Sequence, residues 1–453
     1  SWFHRWTYPL IFFVFLGMSA ISSKTGLFRY TSYALGLNYA KEKIIEYSPE
    51  NIRRNHKTSE SAYPSKGNII GMLENWKKKT GEEKPKLVIL NTSGGGLRSA
   101  LWTFTVLSNT NEKLDAKLSQ NLQMITGASG GMVGAAYFRE IQLRKELKTI
   151  DGNTAIFKER LSKDLLNRLS FSASTSDLFM RYKKVVYYDK KYTQERGCEF
   201  EKELHQNLND YLEHSLGYYK EYEKSSSIPL MIFSPTIVND GRRLLISSQN
   251  LSFMIGNDKK TTYENIDFQS FFKNNEPNHM RFSSVLRANA TFPMIMPMMA
   301  LPTKPEIQLM DAGIRDNYGG KVSVDYLFAL NEWIAENTSG VVILEIRDTK
   351  RIMSNEVYRE LSLMDKLFLP FGNLLTNFTR TQDLDQEQLT KLCETSFNFP
   401  VDKVTFNLRE DYNERISLSW HLTKREKQKI EAAFSSKENQ MAFDKLKSLT
   451  AKQ

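Results

Sequence analysis

Gly127-Ala128-Ser129-Gly130-Gly131 follows directly on the apolar run Leu122-Gln123-Met124-Ile125. One crossover earlier, Gly94-Gly95-Gly96-Leu97-Arg98 follows Leu87-Val88-Ile89-Leu90-Asn91. Two short apolar runs, each passing through glycines into a helical stretch, predict consecutive β-α-β units and hence a parallel sheet. A glycine-flanked serine between a strand and a helix forces a tight turn. That turn lifts the hydroxyl out of the fold and sets it at a helix N-terminus, where unpaired N–H groups favour negative charge. The earlier glycines let bare backbone approach a substrate oxygen. Nucleophile and oxyanion donors are the two parts that acyl transfer needs.

With 453 residues the chain can bury a full core, and its apolar and charged fractions are those of a globular protein. The net charge of +10 comes from scattered lysines and arginines with short clusters at Lys77-Lys78-Lys79, Arg181-Tyr182-Lys183-Lys184 and Lys424-Arg425-Glu426-Lys427. An anionic partner is expected, with a merely solvated basic surface as the competing reading. No zinc-finger spacing, RNP-like motif or continuous basic helix is present, so nucleic acid is not expected and lipid headgroups are the better match. Cys198 and Cys393 are the only cysteines. They build neither a disulfide framework nor a zinc site, and no EF-hand loop occurs, so no metal and no cofactor is expected.

From Trp6 to Ile21 the chain carries no charge, with His4 and Arg5 on one flank and Lys24 on the other. This reads as a membrane-associated apolar helix with aromatic and basic anchors. It is shorter than the roughly 20 residues that cross a ~30 Å hydrocarbon core, so it has to borrow flanking residues, thin the bilayer or lie partly within it. Protein partners or homo-oligomers are expected to form through it. A buried core helix or a targeting remnant are the competing readings.

Along the rest of the chain, residues 30–47 read as an amphipathic helix, 48–64 as a polar loop and 68–79 as a helix. A strand at 85–91, a helix at 99–117, a strand at 122–125 and a helix at 130–148 follow. The small face Gly130-x-x-x-Gly134-Ala135-Ala136 suits close packing on a sheet. Residues 151–227 are charged and helical in pattern, an inserted subdomain. Residues 228–237 and 244–248 read as strands around the Asp240-Gly241 hairpin signal. Residues 308–310 form a strand, 322–336 a helix and 340–347 a strand; the remainder reads as mostly helical. The expected division is an apolar segment at 1–28, a helical linker at 29–65, a catalytic domain at 66–350 and a helical C-terminal extension at 351–453.

A serine hydroxyl is a poor nucleophile until a base takes its proton. None of the six histidines sits in a setting that marks it as catalytic. Asp311, in contrast, follows the apolar Gln308-Leu309-Met310 and precedes Ala312-Gly313, which places a carboxylate at a strand end. Strand carboxyl ends gather at one rim of an open α/β sheet, so Ser129, Gly94 to Gly96 and Asp311 can meet there. Other readings compete: Gly94-x-Gly96-x-x-Ser99 approaches a dinucleotide fingerprint, and Ser129, Asp311 and His421 keep the chain order of an α/β-hydrolase triad.

Gly94-Gly95-Gly96-Leu97-Arg98, Gly127-Ala128-Ser129-Gly130-Gly131 and Asp311-Ala312-Gly313, in this order, resemble the patatin-like phospholipases and the related group IV cytosolic phospholipases. Ile232-Phe233-Ser234-Pro235-Thr236 and Ser284-Val285-Leu286-Arg287-Ala288-Asn289-Ala290-Thr291-Phe292-Pro293 extend the resemblance across about half the chain. Ser93 and Ser99 depart from many patatins and are closer to the group IV pattern.

The resemblance implies a patatin-like three-layer α/β sandwich with a central, mostly parallel sheet, a helical insertion and a Ser/Asp dyad without histidine. Ser129 is then the nucleophile and Asp311 the base; Gly94, Gly95 and Gly96 form the oxyanion hole, and Arg98 helps place a substrate phosphate. The implied activity is hydrolysis of carboxylic esters in phospholipid or another acyl-ester lipid at a membrane, with the catalytic domain on the cytoplasmic side. A catalytically silent membrane-bound scaffold of the same fold is the alternative. Phe292 to Met299 and Leu363 to Leu375 are candidates for an acyl pocket and a lipid-facing lid, with core packing as the competing reading.

Overall fold

The computed structural model describes residues 31–62, 65–174, 184–255, 263–291, 296–349, 381–393, 395–408 and 416–451, with isolated positions before residue 31. The Leu363 to Leu375 segment and most of Trp6 to Ile21 lie outside the described residues. Among the described residues no helix is long and apolar enough to cross a membrane.

A five-stranded parallel sheet forms the centre, in the spatial order Val401–Asn407, Val341–Arg347, Leu87–Thr92, Leu122–Gly127 and Leu230–Phe233. Its inner strands are buried along their whole length, as a sheet covered on both faces requires. Alternation along Leu87–Thr92 divides the core. Leu87 and Ile89 join Ile69, Trp76, Leu327 and Leu330 from the Ser65–Thr80 and Gly320–Asn337 helices. Val88 and Leu90 join Leu97, Leu101, Met132 and Val133 from the Gly96–Lys113 and Ser129–Glu146 helices. The architecture is a mixed α/β sandwich of three layers.

The Gly130-x-x-x-Gly134 face packs on the neighbouring helix rather than on the sheet. A Cβ at Gly134 would overlap the Ala100 carbonyl, and one at Gly130 would overlap the Gly96 carbonyl. The two helices therefore touch backbone to backbone, and their N-termini end side by side.

A second, six-stranded mixed sheet runs in the order Ser32–Tyr33, Met299–Ala300, Gln308–Met310, Thr236–Ile237, Arg243–Leu245 and Asn265–Asp267. The expected single strand over 228–237 is thus two strands in different sheets. Pro235 has no N–H to give a continuing ladder, and the chain changes sheets there.

Three further expectations are corrected. Residues 30–47 form no helix: Ser32–Tyr33 and Ile45–Glu46 are strands, with a single helical turn at Lys41–Lys43 between them. Tertiary partners override the periodicity, because the Tyr39 hydroxyl donates to the Ala300 carbonyl at 2.8 Å and the Tyr192 hydroxyl to the Leu37 carbonyl at 2.9 Å. Residues 49–62 are a helix, not a loop; Pro49 suits a first helical position, and buried Ile52 ties it to the core. Val401–Asn407 is a strand pairing in register with Val341–Arg347, so the C-terminal region supplies one edge of the central sheet.

The 151–227 insertion is largely helical, at Thr154–Leu161, Leu166–Ser174, Arg196–Asn207 and Lys220–Lys224, and it also holds the hairpin Lys184–Tyr187 with Lys190–Thr193. It is joined to the core through Arg287. That guanidinium, fully buried, binds Glu201 at 2.7 Å, Glu195 at 3.1 Å and the Tyr33 carbonyl at 2.6 Å. Met296 and Met299 also sit in the core. The remaining part of the candidate acyl pocket, 292–295, lies outside the described residues.

Candidate active site

Ser129 begins its helix with φ of +50°, in the left-handed region that a side chain rarely adopts. Such strain persists only when the surroundings fix it. Here Ala128 N–H donates to the Thr92 carbonyl at 3.0 Å, and Asn289 Nδ2 donates to the Gly127 carbonyl at 3.1 Å. The turn is gripped by the neighbouring strand on one side and by the Phe282–Asn289 helix on the other. Ser129 is 7 % exposed.

Asp311 arrives from the second sheet. Its N–H donates to the Thr291 carbonyl at 2.9 Å and its own carbonyl accepts from Thr236 Oγ1 at 3.2 Å, which fixes the backbone where the Gln308–Met310 strand ends. Its carboxylate accepts the Gly313 N–H at 2.7 Å. Burial pushes the Asp311 pKa up to about 6, and hydrogen bonds from the Gly313 N–H and then the Ser129 hydroxyl pull against that rise. Ser129 and Asp311, 182 positions apart by their numbering, are thus near enough for the serine hydroxyl to act on the carboxylate.

The glycine loop closes the third side. Gly95 and Gly96 have φ of +149° and +61°, and Gly96 opens the Gly96–Lys113 helix. Among the described residues, no protein acceptor takes the N–H of Gly95 or Gly96. Gly94 differs from the expectation: its N–H already donates to Asn317, to the side-chain Oδ1 at 3.1 Å and the carbonyl at 3.2 Å. That donor is spent on holding the loop. Gly95 and Gly96 lie beside the start of the Ser129–Glu146 helix, with Gly130 packed against the Gly96 carbonyl.

Arg98 is also placed otherwise than the resemblance implies. Its Nε donates to Asp348 Oδ2 at 3.0 Å, its Nη2 binds the same oxygen, and its Nη1 donates to the Ile416 carbonyl at 2.7 Å. The guanidinium is buried against protein.

Sequence reasoning missed Asn317 and Gln382. Asn317 Oδ1 lies between the Gly94 and Gly313 backbones. Gln382 Oε1 accepts the Asn317 N–H at 2.7 Å, while its Nε2 donates to the Gly313 carbonyl at 2.9 Å. Asn317 follows the aspartate turn by a few residues and had a positional signal of a kind. Gln382 lies on a helical run of polar residues with none.

The described histidines are engaged elsewhere. His421 Nδ1 pairs with Asp164 at 2.9 Å, His205 with Ser283 at 2.9 Å, His279 with Glu276 at 3.2 Å; His56 packs on Tyr263 and His214 stacks on Tyr218. His205, Asp210 and Glu213 form one cluster with metal-ligand spacing among the described residues, and it shares no residue with this site.

No protein-family model and no curated relative matches the chain. Solved structures do match. Human GIVD cytosolic phospholipase A2 is 11 % identical, with a TM-score of 0.42 over 86 % of this chain and 66 % of that one. Its complex with methyl gamma-linolenyl fluorophosphonate gives 12 %, 0.39, 86 % and 64 %. VipD from Legionella pneumophila gives 12 % identity, a TM-score of 0.31, and coverage of 80 % and 67 %. The chain spans about two thirds of the length of each.

Proposed function

We propose that this protein is a lipid acyl-hydrolase, of phospholipase A or lysophospholipase type, that uses a Ser129/Asp311 dyad. The observation that carries the reading is the strained serine at a helix N-terminus, close enough to the buried Asp311 carboxylate for its hydroxyl to pull against the burial that raises that group to about 6. A base with a pKa of about 6 is mostly ionised at pH 7, yet basic enough to accept a proton from an attacking hydroxyl.

In this mechanism Ser129 Oγ attacks the ester carbonyl carbon as its proton passes to Asp311. The oxyanion is taken by the Gly95 and Gly96 N–H groups beside two helix N-termini. Collapse breaks the ester C–O bond, and the alcohol leaves with the proton from Asp311. Water then attacks the acyl-Ser129 ester and gives a proton to Asp311. The second collapse returns that proton to Ser129 Oγ and frees the fatty acid.

Lipid as the substrate and a membrane as the place of work are supported by the apolar Trp6 to Ile21 segment and the basic clusters of the sequence. A chain whose only cysteines are Cys198 and Cys393 is consistent with a catalytic body on the cytoplasmic side. The test is hydrolysis of p-nitrophenyl butyrate and of phosphatidylcholine vesicles by wild-type protein, Ser129→Ala and Asp311→Asn, with mass analysis after treatment with a fluorophosphonate. Turnover lost in both variants and a single adduct on Ser129 are expected. Turnover that persists in Ser129→Ala, or no turnover at all, overturns the reading.

A further inference from the structure

We propose that Asp348 is a positioning residue of the oxyanion loop and that Arg98 is committed to it, so that the ester is bound without Arg98 reading a phosphate. This rests on the hydrolase reading above and specifies what that site selects.

Asp348 grips the loop at three successive points. Its backbone N–H donates to Ser93 Oγ at 2.8 Å, just before the first glycine. Its Oδ2 lies directly under Gly95, 2.8 Å from where a Cβ would stand. The same oxygen takes Nε and Nη2 of Arg98, in the first turn of the helix that Gly96 opens. Ser93, Gly95 and Arg98 are the entry, apex and exit of the loop, and one aspartate sets all three.

The rest of the cradle works in the same direction. Ser99 Oγ donates back to the Ser93 carbonyl at 2.6 Å, and the Leu97 N–H donates to the Ser419 carbonyl at 2.9 Å. Ser419 O stands 2.7 Å from a Cβ position on Gly96. The Gly95 and Gly96 N–H groups are therefore aimed by rigid contacts below the loop, which is what a preformed oxyanion hole needs.

Arg98 has no comparable freedom. Both side chains of the Arg98–Asp348 pair are 8 % exposed. Swinging Arg98 out to a phosphate would break its buried hydrogen bonds to Asp348 and to the Ile416 carbonyl together, which is far more costly than opening an exposed pair. A headgroup phosphate is thus not the feature by which Arg98 selects the substrate. A neutral acyl ester, such as an acylglycerol, therefore loses no contact to Arg98 relative to a phospholipid.

The test measures kcat and KM for wild type, Asp348→Asn, Arg98→Gln and Arg98→Lys. Two substrates of matched acyl chain are used below their critical micelle concentrations: dihexanoyl phosphatidylcholine and dihexanoylglycerol. Asp348→Asn and Arg98→Gln are expected to lower kcat about 10- to 100-fold on both substrates alike, with KM nearly unmoved and partial recovery in Arg98→Lys. Asp348→Asn keeps the size and one acceptor of the native side chain, and thermal melting checks that each variant is folded. A loss in Arg98→Gln confined to the phospholipid, or kcat unchanged in Asp348→Asn, overturns the proposal while leaving the dyad intact. Wild-type protein inactive on both substrates overturns the dyad reading and this one with it.

Discussion

Asn317 Oδ1 accepts the N–H of Gly94 at 3.1 Å and lies against Gly313, so one amide oxygen joins the glycine loop to the turn that carries Asp311. The loop comes from the central sheet and the turn from the second sheet. Relative placement of the proposed oxyanion donors and base therefore depends on a contact between two sheets that, among the described residues, are bridged at Phe233 and Ile246.

Asn317→Ala removes the side-chain acceptor and leaves the carbonyl contact to Gly94. The expected outcome is a loss of about 10- to 100-fold in kcat, since small misplacements of reacting groups are expensive, with KM nearly unchanged. Asn317→Asp keeps an acceptor in place and is expected to retain more activity than the alanine variant. Steady-state kinetics on a soluble ester and a thermal melt of each variant check this; a melt that collapses with the rate would mark a structural effect instead.

The Asp311 pKa of about 6 fixes the sign of two pH dependences. The base must be ionised, so kcat/KM is expected to rise with pH and level off above an apparent pKa near 6. Stability runs the other way. A carboxylate whose pKa is raised in the folded state binds more protons there than in the unfolded chain, so stability falls as pH rises from about 4 to about 6. A rise from 3.8 to about 6 corresponds to about 3 kcal/mol. Asp311→Asn is thus expected to be inactive yet to melt higher than wild type at pH 7, with the gap narrowing at pH 4.5. Calorimetry at the two pH values measures it, and a gap that widens on acidification contradicts it.

His421 is half exposed and paired to Asp164, not to Asp311. A Ser-Asp-His triad would lose several orders of magnitude on losing its histidine. His421→Ala is instead expected to stay within roughly twofold of wild-type turnover, as a surface substitution does. Ester hydrolysis by that single variant separates the two chemistries.

The inner strands of the main sheet were legible because they are short, largely apolar and punctuated by glycine, and burial on both faces leaves such runs few other states. Both turns that carry the glycines were legible for the same reason: Ser129 at φ +50° and Gly95 at φ +149° need small neighbours, and glycine is the signal. The Val401–Asn407 strand was missed because only part of it is apolar, and an edge strand with one covered side carries a weaker pattern. Residues 30–47 were misread because their conformation is imposed by partners such as Ala300 and Tyr192, remote in sequence.

By itself the sequence determined the parallel α/β frame and the local geometry of the Ser129 turn and the Gly94 to Gly96 loop, since those depend on neighbours in the chain. What only the tertiary structure decided is what each polar group faces. It set Asp311 beside Ser129, spent the Gly94 N–H on Asn317, and committed Arg98 to Asp348. Hydrogen-bond and ion-pair partners in a buried site are chosen across long stretches of chain, and no local periodicity records that choice.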